Sequence, residues 1–176
     1  MYPSHQRIAL GIDPGYAILG YAVVAAEGND LRMLVCDAIT TPAGMPLPLR
    51  LQRIYQGLVE VVNRYQPQEA AMEELFFGRN ATTAMGVGQA RGVAMLALVN
   101  GGLSIAEYKP AQVKQAVTGY GAAKKPQVGE MVRLLLNLPA VPKPDDAADA
   151  AAIAICHLNM TRIFKEEDGY GPKLVR

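Results

Sequence analysis

The sequence predicts a mixed α/β domain, built on one five-stranded sheet that is flanked by helices. The first half of the chain holds three consecutive apolar stretches with short connections, and the second half alternates short apolar runs with helical patterns. With 176 residues, of which 51% are hydrophobic, the chain fits a single domain with one substantial core. Its longest wholly apolar runs have seven residues, too few for a membrane-spanning helix of about 20.

The first three strands are expected to form an antiparallel meander. Arg7–Asp13 is a short apolar run that ends at an Asp-Pro-Gly turn, as a buried strand does. Ala17–Ala26 and Leu31–Thr40 follow, and the Glu-Gly-Asn-Asp break between them fits a hairpin loop.

Helices and strands then alternate, which predicts parallel strands in this part of the sheet. Strands are expected at Glu69–Glu73 and Leu103–Tyr108, and helices over Leu49–Tyr65, Asn80–Asn100, a short segment from Pro110, Pro126–Leu136 and Asp145–Ile163. The domain is therefore assigned to residues 1–164. Residues 165–176, which are charged and contain Gly and Pro, are expected to be a disordered tail.

The charge of the chain is unevenly distributed although its net value is only +1. Between Lys109 and Arg133 there are four lysines and one arginine against a single glutamate. This segment is either an ordinary solvated face or a surface for a polyanion such as DNA.

Two acidic residues extend the buried stripe of the last predicted helix. Asp146 and Asp149 lie on the same face as Ile153, Cys156 and Met160, because the steps between them are three or four residues. Acids in a first turn also interact favourably with the helix dipole. Both interpretations, a favourable helix end and a functional site, are open for this pair.

Further acids stand at the ends of two predicted strands, Asp13 after the first and the pair Glu73-Glu74 after the fourth. Taken singly, Asp13 is a turn former and the glutamates are a solvated strand end. Adjacent residues of a strand point to opposite faces, so at most one glutamate can join a shared site. If the two strands are neighbours and the last helix crosses their ends, the carboxylates converge, and oxygen ligands of this kind suit Mg²⁺ or Mn²⁺. The pattern then indicates phosphodiester chemistry with two metal ions.

Five motifs in order resemble the RuvC family of bacterial Holliday-junction resolvases. They are GIDPG at 11–15, MEELFFGRN at 72–80, GQARG at 88–92, QVKQ at 112–115 and DAADA at 146–150, and the similarity runs from about Ile8 to His157. The resemblance implies an RNase H-like fold and a homodimer that makes paired nicks in four-way DNA junctions during recombination and repair. It also implies a bacterial cytoplasmic, nucleoid-associated location and work alongside the RuvA–RuvB branch-migration complex.

By the same resemblance, Asp13, Glu73, Asp146 and Asp149 form the catalytic quartet that holds two divalent ions per subunit, Mg²⁺ or Mn²⁺. Some family members carry His at the position of Asp146. The resemblance further implies that water attacks in line, which would leave 5′-phosphate and 3′-hydroxyl ends.

DNA contacts are expected in two segments: Phe76, Phe77, Arg79 and Asn80 after the glutamates, and Lys114, Lys124 and Lys125 in the basic stretch. One of the two rings is expected to plug the core and the other to stack on unpaired bases at the junction centre; the resemblance favours Phe76 for stacking. Asn80 is equally a helix cap. The resemblance implies that Lys114 and Lys125 hold backbone phosphates, with Lys124 beside the second, and such contacts do not read sequence.

Two other functions are compatible with parts of the pattern. G-I-D-x-G after a first strand also occurs as a phosphate loop in actin-like sugar kinases and ATPases, but those proteins need two such domains. A junction-binding module without chemistry is the second alternative, in which the acids only cap helices and keep the surface soluble.

Overall fold

The computed structural model describes residues 6–74, 81–166 and 174–175. The elements in chain order are β1 (Arg7–Asp13), β2 (Ile18–Glu27), β3 (Asp30–Thr40), α1 (Leu47–Tyr65), β4 (Glu69–Glu73), α2 (Ala81–Asn100), β5 (Ser104–Tyr108), α3 (Pro110–Thr118), α4 (Lys125–Leu135), α5 (Asp145–Glu166) and β6 (Leu174–Val175). Within these ranges, no helix is both long enough and apolar enough to cross a membrane.

The strands form one sheet in the order β3-β2-β1-β4-β5-β6. The strands β1, β2 and β3 pair antiparallel, which confirms the predicted meander. The strand β4 lies parallel to β1, and β5 lies parallel to β4. The expected neighbourhood of the first and fourth strands is therefore confirmed, and their carboxyl ends lie at the same edge of the sheet.

The predicted elements agree with the observed ones to within a few residues, and β1 and β4 have the predicted bounds. The differences lie at the C-terminal end, in the stretch 165–176 that was predicted to be a tail. There α5 continues to Glu166, and β6 pairs antiparallel with β5. This pairing adds a sixth, two-residue strand to the expected five, because it satisfies backbone groups at the otherwise open edge of β5. The rest of that stretch is outside the described residues.

The two faces of the sheet are packed with side chains of different size. Large residues of β1, namely Ile8, Leu10 and Ile12, pack against α1 and α2. The opposite face carries small residues and is covered by α5 with α3 and α4; the small residues of this face are Ala9, Ala22, Ala71 and Ala106. Because little side-chain volume separates them, α5 lies close to the sheet.

Two glycines bring the backbone of α5 into direct contact with the strands. A Cβ atom at Gly11 would lie 2.1 Å from the carbonyl oxygen of Ala150, and one at Gly20 would lie 2.0 Å from that of Asp146. Real Cβ contacts are not that short, so any larger residue at these positions would displace the helix. The first turns of α5 are therefore held at the end of β1.

A buried polar network fastens α5 to the strands further along. His157, only 1% exposed, contacts the Tyr108 hydroxyl through Nδ1 (2.8 Å) and the Glu69 carboxylate through Nε2 (2.7 Å). Arg7 donates to the same carboxylate at 2.8 Å. Burial raises the pKa of Glu69, but the hydrogen bonds from His157 and Arg7 outweigh that effect and lower its pKa to about 2. His157 is thus part of the structural core.

Candidate active site

Asp13 ends β1 and faces α5, because it has the same strand parity as Ala9 and Gly11. Burial and the nearby charges of Asp149, Asp146 and Glu73 raise the pKa of Asp13 from 3.8 to about 7, while Lys125 lowers it. The folded chain therefore concentrates negative charge at this point without full compensation by its own cations.

Glu73 ends β4 beside Asp13, since Ile12 of β1 is in register with Met72 of the parallel β4. Burial and the charge of Asp149 raise the pKa of Glu73, and Lys114 lowers it. Its side chain lies on the same face as Ala71, which packs under α5.

Three of the four predicted acids line one cleft of about 280 Å³. Asp13, Glu73 and Asp149 come to this cleft from β1, β4 and α5, and the other lining residues are Pro110, Lys114, Lys125, Val128 and Ile153. Asp146 does not line the cleft, although it is close enough to raise the pKa of Asp13. Glu74 does not line it either, as expected for the neighbouring residue of a strand.

The predicted lysines lie at different distances from the acids. The ammonium group of Lys125, the first residue of α4, donates to Asp149 Oδ2 at 2.7 Å and lies 3.9 Å from Asp145 Oδ2. Lys114 of α3 lines the cleft, and Lys124, which precedes Lys125 in the sequence, is exposed. Phe76, Phe77, Arg79 and Asn80, the remaining predicted DNA contacts, are in the segment 75–80, outside the described residues.

The donor set of the cleft suits hard divalent cations. All three carboxylates present oxygen atoms, the preferred ligands of Mg²⁺ and Mn²⁺. In the described ranges, no three His, Cys, Asp or Glu side chains are already arranged as a preformed metal site. The raised pKa of Asp13 and the ammonium group on Asp149 nevertheless show that this cleft attracts positive charge. By donor type and by charge, the acids fit divalent cations.

Arg91 contacts the end of β4 next to the acid cleft, a role that the sequence alone did not predict. This α2 residue is 7% exposed and donates from Nη1 to the backbone carbonyl of Glu73 at 2.6 Å. Its other terminal nitrogen pairs with the carboxylate of Glu107. The signal available in the sequence was that Arg91 is the one charged residue of α2. Its partners could not be predicted from this signal, because they belong to other elements.

A family model and curated relatives both match most of the chain. The family model described as crossover junction endodeoxyribonuclease RuvC matches residues 9–157. The RuvC protein of Chloroflexus aggregans is 61% identical over 149 residues, covering 85% of this chain and 91% of that protein. That of Desulforamulus reducens is 54% identical over 157 residues, with coverages of 89% and 96%.

Solved structures give the same result. Thermus thermophilus RuvC in complex with a Holliday junction substrate superposes with a TM-score of 0.85 at 39% identity, covering 89% of this chain and 96% of that one. The yeast mitochondrial Holliday junction resolvase Ydc2 shares the fold, with a TM-score of 0.62 at 14% identity.

Proposed function

Because the chain belongs to the RuvC family of crossover junction endodeoxyribonucleases, with its RNase H-like fold, we propose that it cuts four-way DNA junctions at the acid cleft. The proposed ligands of two divalent ions, Mg²⁺ or Mn²⁺, are Asp13, Glu73, Asp146 and Asp149. Membership of this family excludes the kinase-like alternative, which belongs to proteins of different function.

The observation that carries this proposal is the convergence of Asp13, Glu73 and Asp149 in one cleft with two lysines. When bound, a pair of divalent ions stabilises charge on the attacking and leaving oxygens of a phosphodiester. The chain supplies the rest. The charges of the other three acids all raise the pKa of Asp13, which supports a central position for it among the proposed ligands. Lys114 and Lys125 are proposed to offer cations to the phosphate.

DNA binding extends from the cleft over the neighbouring surface. Lys124 is exposed beside Lys125 and is proposed to contact a second backbone phosphate. The predicted contacts of Arg79 and Asn80, and the insertion of Phe76 or Phe77 between bases, remain proposals based on the resemblance. The lysine contacts with phosphates position the junction and do not select a sequence.

Paired nicks require two active sites, and α2 carries a surface suited to a second copy of the chain. Met85, Leu96 and Val99 are 68%, 54% and 57% exposed. On the same stripe, Cβ atoms added at Gly88 and Gly92 would touch nothing within 4 Å. An apolar stripe with small residues allows close helix–helix packing, so we propose that two chains pair through α2. Cooperation with RuvA–RuvB and a nucleoid-associated, cytoplasmic location are proposed from the family alone.

The proposal is tested with a synthetic four-way junction, with and without Mn²⁺. The wild-type chain is expected to make symmetric nicks only when the ion is present. Glu73→Gln removes a proposed ligand and should slow cleavage by roughly a thousandfold, which corresponds to several kcal/mol.

Glu74→Gln is the matched control, because it makes the same change one residue outside the cleft. Band shifts without cleavage, indifferent to the ion, would instead support a binding module without chemistry. Equal cleavage rates for the two variants would show that Glu73 is not a ligand.

A further inference from the structure

Lys125 already occupies the position of a cation among the acids. Its ammonium group bonds Asp149 Oδ2 at 2.7 Å, and it lines the same cleft as Asp13 and Glu73. Its hydrogen bond with Asp149 raises the pKa of Lys125, which keeps the group charged. Lys125 is therefore the counter-ion of the acid cluster in the protein without DNA.

Lys125 cannot contact Asp149 and a DNA phosphate at the same time. An ammonium group that donates to Asp149 covers a carboxylate oxygen that a divalent ion needs, and it is held away from any phosphate. The side chain is 57% exposed and ends a flexible stem at the start of α4. It can therefore exchange one partner for another by rotation alone.

We propose that Lys125 competes with the divalent cation for Asp149 in the DNA-free protein and is released when a junction phosphate takes its ammonium group. This inference rests on the proposed function, because it assumes that Asp149 is a metal ligand. Its consequence is that DNA binding favours metal binding, so that the chain binds the metal most tightly when a substrate is present.

The test measures Mn²⁺ binding to the protein without DNA by calorimetry, for the wild type, Lys125→Met and Lys124→Met. Loss of the competing ion pair should tighten Mn²⁺ binding to Lys125→Met about three- to fivefold, the upper part of the range expected for a partly exposed pair. Lys124→Met removes the same charge one residue away and should leave the affinity within about twofold of the wild type. Among the described residues, Lys124 forms no ion pair with an acid.

Thermal unfolding gives a second readout that does not depend on cleavage. Since a ligand that binds the folded state raises Tm, a given Mn²⁺ concentration should raise the Tm of Lys125→Met more than that of the wild type. Adding Asp149→Asn to Lys125→Met should abolish the gain in affinity.

The outcomes separate this inference from the function on which it rests. If the wild type binds Mn²⁺ and cuts junctions, while Lys125→Met binds Mn²⁺ no more tightly, the competition is refuted and the nuclease site stands. An equal gain in Lys124→Met would show a general charge effect and would also refute it. If the wild type neither binds Mn²⁺ nor cuts, the proposed metal site fails, and the inference fails with it.

Discussion

Replacing Gly11 by alanine tests whether the close approach of α5 sets the geometry of the acid cleft. The new Cβ would lie 2.1 Å from the carbonyl oxygen of Ala150 and 2.7 Å from the backbone nitrogen of Ala154. Ordinary contact begins at 3.4 Å, so α5 has to move outward by about 1.3 Å, and a misplacement of about 1 Å can slow catalysis roughly a hundredfold. Overpacking also costs about 1–3 kcal/mol, which corresponds to a fall in Tm of roughly 2–12 °C.

The assay is single-turnover cleavage of a four-way junction at saturating protein and Mn²⁺, with junction binding and thermal unfolding measured in parallel. Cleavage should fall much more than binding, because the proposed phosphate contacts of Lys114 and Lys125 are on α3 and α4. Gly129→Ala is the control, since its Cβ would meet only the side chain of Val141, with methyl carbons at 3.1 and 4.0 Å. A Gly11→Ala variant that unfolds like the wild type and cuts within threefold of its rate would refute the reasoning.

Three further predictions concern stability and assembly. Because the pKa of Asp13 is raised to about 7 in the fold, its contribution to stability is present below pH 4 and is lost as the pH rises to 7. Asp13→Asn should therefore raise the Tm of the metal-free protein at pH 8 by about 4–8 °C, for roughly 2 kcal/mol, and an unchanged Tm would contradict the raised pKa. His157→Ala leaves Glu69 without its buried partner and should cost about 2–4 kcal/mol in denaturant unfolding. The same pair makes stability fall as the pH drops from 4.5 towards 2, the folded-state pKa of Glu69, and a His157→Ala variant should lose part of that dependence. Leu96→Glu places a charge in the exposed stripe of α2 and should give monomers by light scattering; a variant that stays dimeric would locate the interface elsewhere.

Much of the fold follows from the sequence because the strands and helices carry strong local patterns. The parity of strand residues also limits the site to one of the two adjacent glutamates. It does not say which one, because that depends on which face of β4 meets α5. The structure settles the orientation through Ala71, which packs under α5 and has the same parity as Glu73.

The contacts that could not be predicted join residues far apart in the chain. His157 and Glu69 are 88 residues apart, and Arg91 reaches the carbonyl of Glu73 across 18. The ion pair of Lys125 with Asp149 was not predicted either, and the expected contact of Lys125 with a phosphate stays a prediction. Such partners depend on the three-dimensional packing of separate elements, for which a local pattern contains no signal.

The difference in side-chain size between the two faces of the sheet has a consequence for how this chain can change. On the α5 face the strands carry alanines and glycines, so contacts with the backbone set the distance between helix and sheet. Larger residues at Gly11 and Gly20 are blocked, because the nearest atoms they would meet belong to the backbone of α5, which cannot be made smaller. On the α1–α2 face isoleucine and leucine side chains interdigitate. A substitution that removes side-chain volume there can be compensated by another that adds volume. Engineering for heat resistance should accordingly recombine residues on the α1–α2 face and leave the α5 face as it is.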